Sequence, residues 1–536
     1  MITLNEDQET GLAHLLAFYN STPKPLTPLP QIPDAKSFVL SGSAGTGKST
    51  TIQYLVKRLP YARVAFTAPT NKAVKVLARM RKQYLKRHPE EQHRTIVVST
   101  IHKLLGLTIK YEKDQQVLVQ DGHSQAHAYD LIIIDEGSMI NKELLGFIES
   151  ELKFHTHLKV IYMADFYQWN PINEVISETF RYSQSFNLTK VERQADDNPV
   201  LGLCTGLRDL IAPSLAFNKV IEPMRMSEDI STPIKSQLSN LIKPVKHGKA
   251  GVHVVSANTF ESMIYDAFSL KNYNFDSIDR FRVIAWTNKV VNKWNKRIQH
   301  HRYPDLGDLP FAVGEPCVFS QPLLYASTVF DKSQMYPTTK ENGTFAMYIR
   351  EAFRESDEPN WKTVLLPTET EGIIESVEKL DDFIFQPLSS HLKYSQGFEP
   401  VVLPIYKVTV QVDEVLRYST SDSDHDYSSI GNSIVTCIVP EDRDALDKLY
   451  KRMVKMIRDN GEFSLAWKDF WITKAIFADL RPVYALTSHK SQGSTFNHVF
   501  IEYGDIMSNF NQEEALKALY VAVSRVGTYG NAVIRG

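Results

Sequence analysis

The residues of this chain best suited to chemistry form the string GSAGTGKS over positions 42–49. Its spacing is GxxxxGK[S/T]. Glycines so placed let backbone N–H groups turn inward around phosphate oxygens. The lysine then reaches the terminal phosphates, and the hydroxyl after it can ligate Mg²⁺. Gly45, Thr46, Gly47, Lys48, Ser49 and Thr50 are therefore candidate nucleotide contacts, with Ser49 also a candidate metal ligand. A strand-like run, 38–40, precedes the string and a helical run, 50–59, follows it, which is the context this loop requires. The expected ligands are ATP and Mg²⁺.

A phosphate loop of this type needs acidic partners at the end of a neighbouring strand. LIIIDE over 131–136 supplies them: Asp135 to hold Mg²⁺ and Glu136 to orient and deprotonate the attacking water. A third apolar run, 159–163, leads into ADFYQWNP, where Gln168 could read the γ-phosphate or the water; an Asp/Pro turn is the plainer alternative. Arg193 and Arg525 are candidate stabilisers of the charge that spreads over a transferring phosphoryl group, against the alternative of surface ion pairs. The loop TSHKSQGST over 487–495 brings hydroxyls, an amide, a cation and Gly493 together. It suits phosphates of a nucleotide or of a nucleic acid, unless it is only a helix start capped by Ser488.

These groups need elements to hold them. Residues 4–19 have helical spacing, with Asn5 as N-cap and Gln8 at the capping-box position. Five prolines between 21 and 37 predict an extended connection. From residue 37 short apolar runs at 38–40, 64–68, 131–134 and 159–163 alternate with helical patterns, which predicts a parallel sheet covered on both faces. Between about 306 and 477 the texture changes to short strands and polar turns, as in a small β unit. Within it, Asp422, Asp424 and Asp426 imitate a calcium loop, but Tyr427 stands where such a loop needs Gly and Ser433 where it needs Glu. A solvated hairpin tip is the better reading. One word is repeated: RVAFTAPTNKAV begins at Arg63 and RVIAWTNKVV at Arg282. A β-rich run, Thr-Asn-Lys and a helical pattern recur, as expected of two copies of one α/β domain presenting equivalent loops.

Composition narrows the class. The 536 residues are 43% hydrophobic and 23% charged, with a net charge of −2, so any nucleic-acid surface must be local. Three scattered cysteines, Cys204, Cys317 and Cys437, exclude a disulfide framework and a cysteine zinc site and fit a reducing compartment. No apolar run has the length of a membrane span, and the acidic N-terminus lacks the bases of a signal peptide. The expectation is a cytoplasmic protein with no membrane contact.

Taken in order, the LNEDQ opening, GSAGTGKST, TAPTNKAV, STIHKLLG, IIIDEGSM, ADFYQWNP, LTKVERQ, TNKVVNKWN, WKDFW, LTSHKSQGSTF and YVAVSRV resemble the motifs of superfamily 1 helicases, in their RecD-like, 5′-to-3′ branch. The resemblance covers nearly the whole chain. It implies an α/β fold of two RecA-like parallel-sheet cores, with ATP in the cleft between them and single-stranded DNA across the top. The first core would span 1–190, with a β-hairpin pin at about 108–128. The second would span 191–305 and 481–536, with an SH3-like β domain and its extension inserted at 306–480. Gln8 matches the adenine-reading glutamine of the family. Lys48, Ser49, Asp135, Glu136, Gln168, Arg193 and Arg525 match its ATPase residues. Pro69, Thr70, Asn71, His102, Thr287, Asn288, His489 and Lys490 match loops that touch the DNA strand.

The function implied is ATP-dependent translocation 5′ to 3′ on single-stranded DNA and unwinding of duplex DNA. The partners are single-stranded and forked or tailed duplex DNA, with room for a single-strand-binding protein or replisome component, and the active form is a monomer. An RNA helicase with the same engine, or a P-loop ATPase switch that does not unwind, are the alternatives. The chain departs from the family in four places: the proline-rich approach to the phosphate loop, Gly137 after the acidic pair, Ala164 before Asp165, and a pin whose second strand, 117–119, has no aromatic.

Overall fold

The computed structural model describes residues 4–22, 28–88, 96–113, 115–169, 171, 174, 177–190, 199–218, 251–273, 278–328, 364–380, 383–385, 401–412, 433–461 and 464–536. Arg193 and the calcium-loop imitation at 422–426 lie outside them. The first strands are β1 (Ser37–Gly42), β2 (Val64–Ala68), β3 (Ile96–Thr100), β4 (Leu107–Glu112), β5 (Gln115–Gln120), β6 (Leu131–Ile134), β7 (Lys159–Ala164) and β8 (Ser185–Leu188). Six of them form a sheet in the order β3-β2-β6-β7-β1-β8, with every pairing parallel. Every residue of β1, β6 and β7 is buried, as in strands covered on both faces. β4 and β5 leave the sheet as a separate antiparallel hairpin, ending at Gln120 rather than near 128.

The order corrects one expectation. β6, which carries the acidic pair, is not the neighbour of β1; β7 lies between them. Two inter-strand spacings amount to about 9.6 Å, which leaves room for a phosphate and a water between the loop and the carboxylates. It also brings the residues after β7 next to the phosphate loop. The proline-rich approach is not extended where it is described: it forms a 3₁₀ turn, Leu29–Gln31, and a short helix, Ile32–Ala35, each with proline in the first helical positions, where its missing N–H costs nothing.

The chain continues through β9 (Gly251–Val255) and β10 (Phe281–Ala285), then β11 (Pro316–Phe319), β12 (Leu323–Leu324), β13 (Val364–Leu366), β14 (Thr370–Lys379), β15 (Phe383–Phe385), β16 (Val401–Leu403), β17 (Ile405–Val412), β18 (Ser433–Pro440) and β19 (Leu480–Pro482). It returns in β20 (Ala485–Thr487), β21 (Phe496–Ile501) and β22 (Val526–Arg535). The second parallel sheet has the order β20-β10-β21-β22-β9. Helices Pro199–Asn218 and Gln512–Ser524 pack together on one of its faces through Val200, Leu203, Leu207, Leu516, Leu519 and Tyr520. These are two RecA-like α/β cores.

Between the halves of the second core stands an antiparallel sheet, β18-β17-β14-β11-β19, together with the small pairs β12/β13 and β15/β16. Its last strand ends at Pro482, beyond the expected edge at 480. The region is also not only β. Helix Arg443–Asp459 buries Leu446, Leu449, Met453 and Ile457 at helical spacing, against Trp467, Phe470 and Trp471 of helix Ser464–Ile476.

Candidate active site

β1 delivers the phosphate loop and helix Lys48–Arg58 carries its exit. Gly45 (φ 89°) and Gly47 (φ 83°) take the left-handed backbone that only glycine adopts without strain, which is why the motif needs them. The Lys48 ammonium donates to the carbonyls of Gly42 (2.6 Å) and Ser43 (3.2 Å), so it lies along the loop that would cradle phosphates. Thr46 closes the turn by donating to Ser43 O at 2.9 Å.

Gln8 is held by two independent devices. Asn5 and Gln8 form the capping box expected from the sequence, with Gln8 Oε1 accepting from the Asn5 N–H at 3.2 Å. The Gln8 amide then donates to Thr46 O at 3.1 Å. A Cβ at position 47 would lie 2.3 Å from Gln8 Nε2, so Gly47 is needed for this contact as well as for its φ.

At the end of β6, burial first and then the Glu136 charge push the Asp135 carboxyl up to about 7, with Lys48 opposing the shift. Glu136 sits at φ 54°, an uncommon conformation for a non-glycine residue, and its N–H donates to Asp135 Oδ1 at 2.9 Å. The donor set fits a hard divalent cation: a hydroxyl at the first turn of a helix and a buried carboxylate whose charge lacks a full counter-ion. Gly137, one of the departures, has a local cause, because a Cβ there would come within 3.1 Å of Tyr162 Cβ and 3.2 Å of Met163 O.

The second core reaches across this site. Gln492 donates its amide to Glu136 Oε2 at 3.0 Å, and Gly493 (φ 75°) faces Glu136 Oε1. Gln168 donates to Asp165 Oδ2 at 3.0 Å, and Tyr520 from helix Gln512–Ser524 donates to the same oxygen at 3.0 Å. The Tyr520 hydroxyl also accepts from the Ala44 N–H in the phosphate loop at 3.4 Å. Arg208 Nη1, on helix Pro199–Asn218, donates to Ser43 Oγ at 2.5 Å. Gln168 Oε1, Gln492 Oε1 and Arg208 Nε are buried without a hydrogen-bond partner, as in a site shaped for a polar ligand.

Arg525 is placed differently from expectation. It is 3% exposed, and its guanidinium donates to the carbonyls of Val521 and Ser494 and to Ser524 Oγ, so it ties the 488–495 loop to its own helix and makes no hydrogen bond to the phosphate loop. Three groups around the cleft went unassigned in the sequence: Gln492, Tyr520 and Arg208. Gln492 and Tyr520 stand within quoted motifs; Arg208 lies on a helix whose packing alone brings it here.

The repeated word has a structural meaning. β2 runs into Pro69 and Thr70, and Thr70 N-caps helix Asn71–Arg87 by accepting from the Ala73 N–H. β10 runs into Trp286 and Thr287, which caps helix Asn288–Arg302 in the same way through Val290. A second repeat, missed in the sequence, lies beside the first. β3 pairs with β2 and ends in Thr100-Ile-His102-Lys103; β20 pairs with β10 and ends in Thr487-Ser-His489-Lys490. In each, the threonine N-caps a one-turn helix. Ala68 is level with Thr100 and Ala285 with Thr487, so each core presents the same pair of loops side by side. Burial holds both His102 and His489 below the ordinary histidine pKa, with Lys490 adding to the shift at His489. His489 also lies against Trp169 of the first core (5.7 Å between rings), which stacks on Trp286 at 5.3 Å.

Further contacts involve the inserted region at two places. Lys490 pairs with Glu369 at 3.1 Å, Asn71 donates to Thr368 Oγ1 at 3.4 Å, and Lys75 donates to Glu369 O at 3.2 Å. Glu369 itself has φ 61°. At the hairpin, the indole of Trp471 donates to the carbonyl of Lys113, in the turn, at 2.6 Å.

Comparison with known proteins agrees with this geometry. Residues 30–171 match an AAA domain model and 482–526 a UvrD-like helicase C-terminal domain model. An uncharacterized protein of Acanthamoeba polyphaga mimivirus is 24% identical over 91% of this chain and 94% of its own length. The ATP-dependent DNA helicase dda of Enterobacteria phage T4 is 20% identical over 91% of this chain and 92% of its own. The ATP-dependent RecD2 DNA helicase of Deinococcus radiodurans is 29% identical over 35% of this chain and 24% of its own. Among the described residues no helix is long and apolar enough to cross a membrane. With the phosphate loop, the acidic strand end and the paired loops of two RecA-like cores in one arrangement, the chain is similar to superfamily 1 helicases and is an ATP-hydrolysing helicase.

Proposed function

We propose that the chain is an ATP-dependent DNA helicase that moves 5′ to 3′ on single-stranded DNA as a monomer. The observation that carries this reading is the doubling of the loops. Each core ends adjacent strands in Thr-Asn-Lys and Thr-x-His-Lys, and the second core continues directly from Lys490 into Gln492 and Gly493 at Glu136. A strand gripped by Thr70, Asn71 and His102, with Pro69 shaping their turn, and by Thr287, Asn288, His489 and Lys490, would feel any change at the nucleotide. Contacts of this kind fall on backbone and base faces and tolerate any sequence.

For the chemistry, Gln8 reads adenine, Gly45 to Thr50 hold the phosphates, and Lys48 leaves its loop carbonyls for the β- and γ-phosphates. Ser49 and Asp135 would hold Mg²⁺, which neutralises charge on the phosphate oxygens. Glu136, held by Gln492, orients water, and Gln168, on Asp165, is the residue that the family resemblance assigns to the same task. The water oxygen bonds to the γ-phosphorus as the bridging bond to the β-phosphate breaks, the proton passes to Glu136, and the electron pair leaves with ADP. Arg525 and Arg193 are the arginines that the family resemblance assigns to transition-state charge, and Gly493 gives the backbone its close approach to Glu136. The antiparallel insert is read as the SH3-like domain. The hairpin β4–β5 is read as the strand separator, braced at its tip by Trp471.

The test is unwinding of duplexes that carry either a 5′ or a 3′ single-stranded tail, beside ATPase assays with DNA, with RNA and with neither. DNA-stimulated ATPase and unwinding of the 5′-tailed duplex alone are expected, with both abolished in Lys48→Ala and turnover lost but ATP binding kept in Glu136→Gln. Unwinding from a 3′ tail overturns the polarity; stimulation by RNA alone overturns the substrate; ATPase without unwinding of either duplex leaves a switch in place of a motor.

A further inference from the structure

We propose that Arg208 is a further catalytic residue, the group from the second core that meets the γ-phosphate. This rests on the reading of 42–49 as an ATP site. The family resemblance points to Arg193, which lies outside the described residues, and to Arg525, which makes no hydrogen bond to the phosphate loop. Arg525 spends its three donor nitrogens on Val521 O, Ser494 O and Ser524 Oγ. Arg208 does reach the loop: Nη1 donates to Ser43 Oγ at 2.5 Å while Nη2 is steadied by Thr205 Oγ1 at 2.7 Å.

Three observations make this contact more than a tie between cores. Ser43 is the second residue of the loop, beside Ala44, whose N–H meets the Tyr520 hydroxyl, so Arg208 and Tyr520 enter the same end of the loop from the same core. Arg208 Nε is buried with no acceptor, although a guanidinium has five N–H donors and no acceptor of its own. A tie built for stability would satisfy that donor; a ligand-facing arginine leaves it for the ligand. The partner is also a neutral hydroxyl, which a phosphate oxygen displaces readily, because charge-assisted hydrogen bonds are about twice as strong as neutral ones.

When ATP enters, Arg208 exchanges Ser43 for the γ-phosphate. The fork of its N–H groups matches two equatorial oxygens, whose charge grows as the bond to the β-phosphate breaks. Helix Pro199–Asn218 packs against helix Gln512–Ser524. Loss of the γ-phosphate would therefore return Arg208 to Ser43, so the paired helices of the second core register whether the γ-phosphate is present, which links hydrolysis to the contact between the cores.

The experiment compares wild type, Arg208→Ala and Arg208→Lys in full-length protein. It measures ATP turnover at saturating single-stranded DNA, affinity for ADP and for a non-hydrolysable triphosphate, and the thermal midpoint. The expected result for Arg208→Ala is a fall in kcat of about a hundredfold or more. ADP affinity stays within about twofold, the preference for triphosphate over diphosphate is lost, and the midpoint is unchanged. Arg208→Lys keeps a charge without the fork and falls between, and free guanidinium ion restores part of the turnover of Arg208→Ala. Wild-type kcat in Arg208→Ala overturns the proposal. So does an equal loss of ADP and triphosphate affinity with a lowered midpoint, which would make Arg208 a structural tie. Wild-type protein that binds neither nucleotide, and does not differ from Lys48→Ala, overturns the ATP-site reading itself and is told apart by that control.

Discussion

In the first core the Thr-Asn-Lys loop after β2 is met from outside. Asn71 donates to Thr368, Lys75 to Glu369 O, and Lys490 in the adjacent loop of the other core pairs with the Glu369 carboxylate. In the second core the equivalent loop after β10 is held from within. Asp505 accepts from the N–H groups of Trp286 (2.7 Å) and Thr287 (2.8 Å) and from the Thr287 hydroxyl (2.9 Å). Two loops with one sequence word therefore differ in what fixes them. The second is rigid by its own core; the first touches the inserted region. A motor with alternating grip needs its two hands to respond differently, and this asymmetry is built into the fold rather than into the loops.

The largest effect should come from removing the internal brace. Asp505→Ala leaves two backbone N–H groups and a hydroxyl without their acceptor. Hydrogen bonds to a charged group contribute about 1.5–3 kcal/mol each when buried, but Asp505 is partly exposed, so a loss of roughly 2–4 kcal/mol of stability is expected for the set. DNA-stimulated ATPase should fall with it, while basal ATPase is largely kept. Denaturant titration and ATPase with and without DNA check both. Unchanged stability would mean the second loop holds itself, and the contrast with the first would fail.

Next comes a pH effect at the far end of the second loop's helix. Glu315 is fully buried and accepts from Gln299 Nε2 (2.9 Å), the Ala312 N–H (3.0 Å) and the Tyr484 hydroxyl (3.0 Å), with Arg302 nearby. Gln299 and Arg302 lie on helix Asn288–Arg302, so this network ties that helix to the chain entering β11. Burial pushes the carboxyl up from 4.5 to about 7. Below pH 4.5 folded and unfolded chains are both protonated. Between 4.5 and 7 the folded chain keeps a proton that the unfolded chain has lost, so this stabilisation is lost as pH rises through that window and stays lost above it. The span is on the order of 3 kcal/mol. Glu315→Gln should flatten that part of the stability–pH curve; an unchanged slope would place the titration elsewhere.

The parts of this asymmetry differ in how far the sequence displays them. β2 and β6 have the bounds their apolar runs suggest, because buried parallel strands announce themselves locally. Capping at Asn5 and Gln8 was legible for the same reason: both partners lie within one turn. The helices in the insert were legible too, since Leu446, Leu449, Met453 and Ile457 have helical spacing, but the surrounding turns drew the reading toward β. The second repeat, Thr-Ile-His-Lys against Thr-Ser-His-Lys, is present in the sequence, but its three matching positions are too few to stand out. What no local pattern carries is sheet order and cross-core contact. β7 between β1 and β6, Gln492 on Glu136, and Glu369 on Lys490 join segments more than a hundred residues apart or strands whose order is set by packing.

Smaller effects should separate the two asparagines. Asn288→Ala should lower single-strand affinity by up to about tenfold, equally for different base sequences, since backbone contacts carry no base code. Asn71→Ala should cost less, because the free protein already offers Asn71 a partner in Thr368, and the strand gains only the difference. Titration of both variants at one salt concentration decides it. Equal losses would remove the asymmetry from the DNA-bound state, and no loss in either would make the repeated word structural.

The smallest effect, and the sharpest, concerns Glu369. Its backbone is held at φ 61°, a conformation that costs a non-glycine residue of order 1 kcal/mol, and its carboxylate is paired with Lys490, one of the cations proposed to touch the strand. An anion beside that cation competes with a phosphate for it. A half-exposed pair of this kind is worth less than about 1 kcal/mol, so Glu369→Gln should tighten single-strand binding by no more than about fivefold at low salt. The salt dependence is the more telling measure. Each additional phosphate neutralised on a single strand steepens the slope of log K against log salt by about 0.7, and a Lys490 released from Glu369 should add about one such increment. Asp505 offers the contrast, since it binds the second loop's own backbone and frees no cation when removed. Tighter binding with a steeper slope in Glu369→Gln, and neither in Asp505→Ala, would show that the insert tunes by charge the grip of the second core's Lys490. Weaker binding in Glu369→Gln would mean that the carboxylate aims Lys490 at the strand, and unchanged affinity with an unchanged slope would mean that the turn and the strand never share a cation.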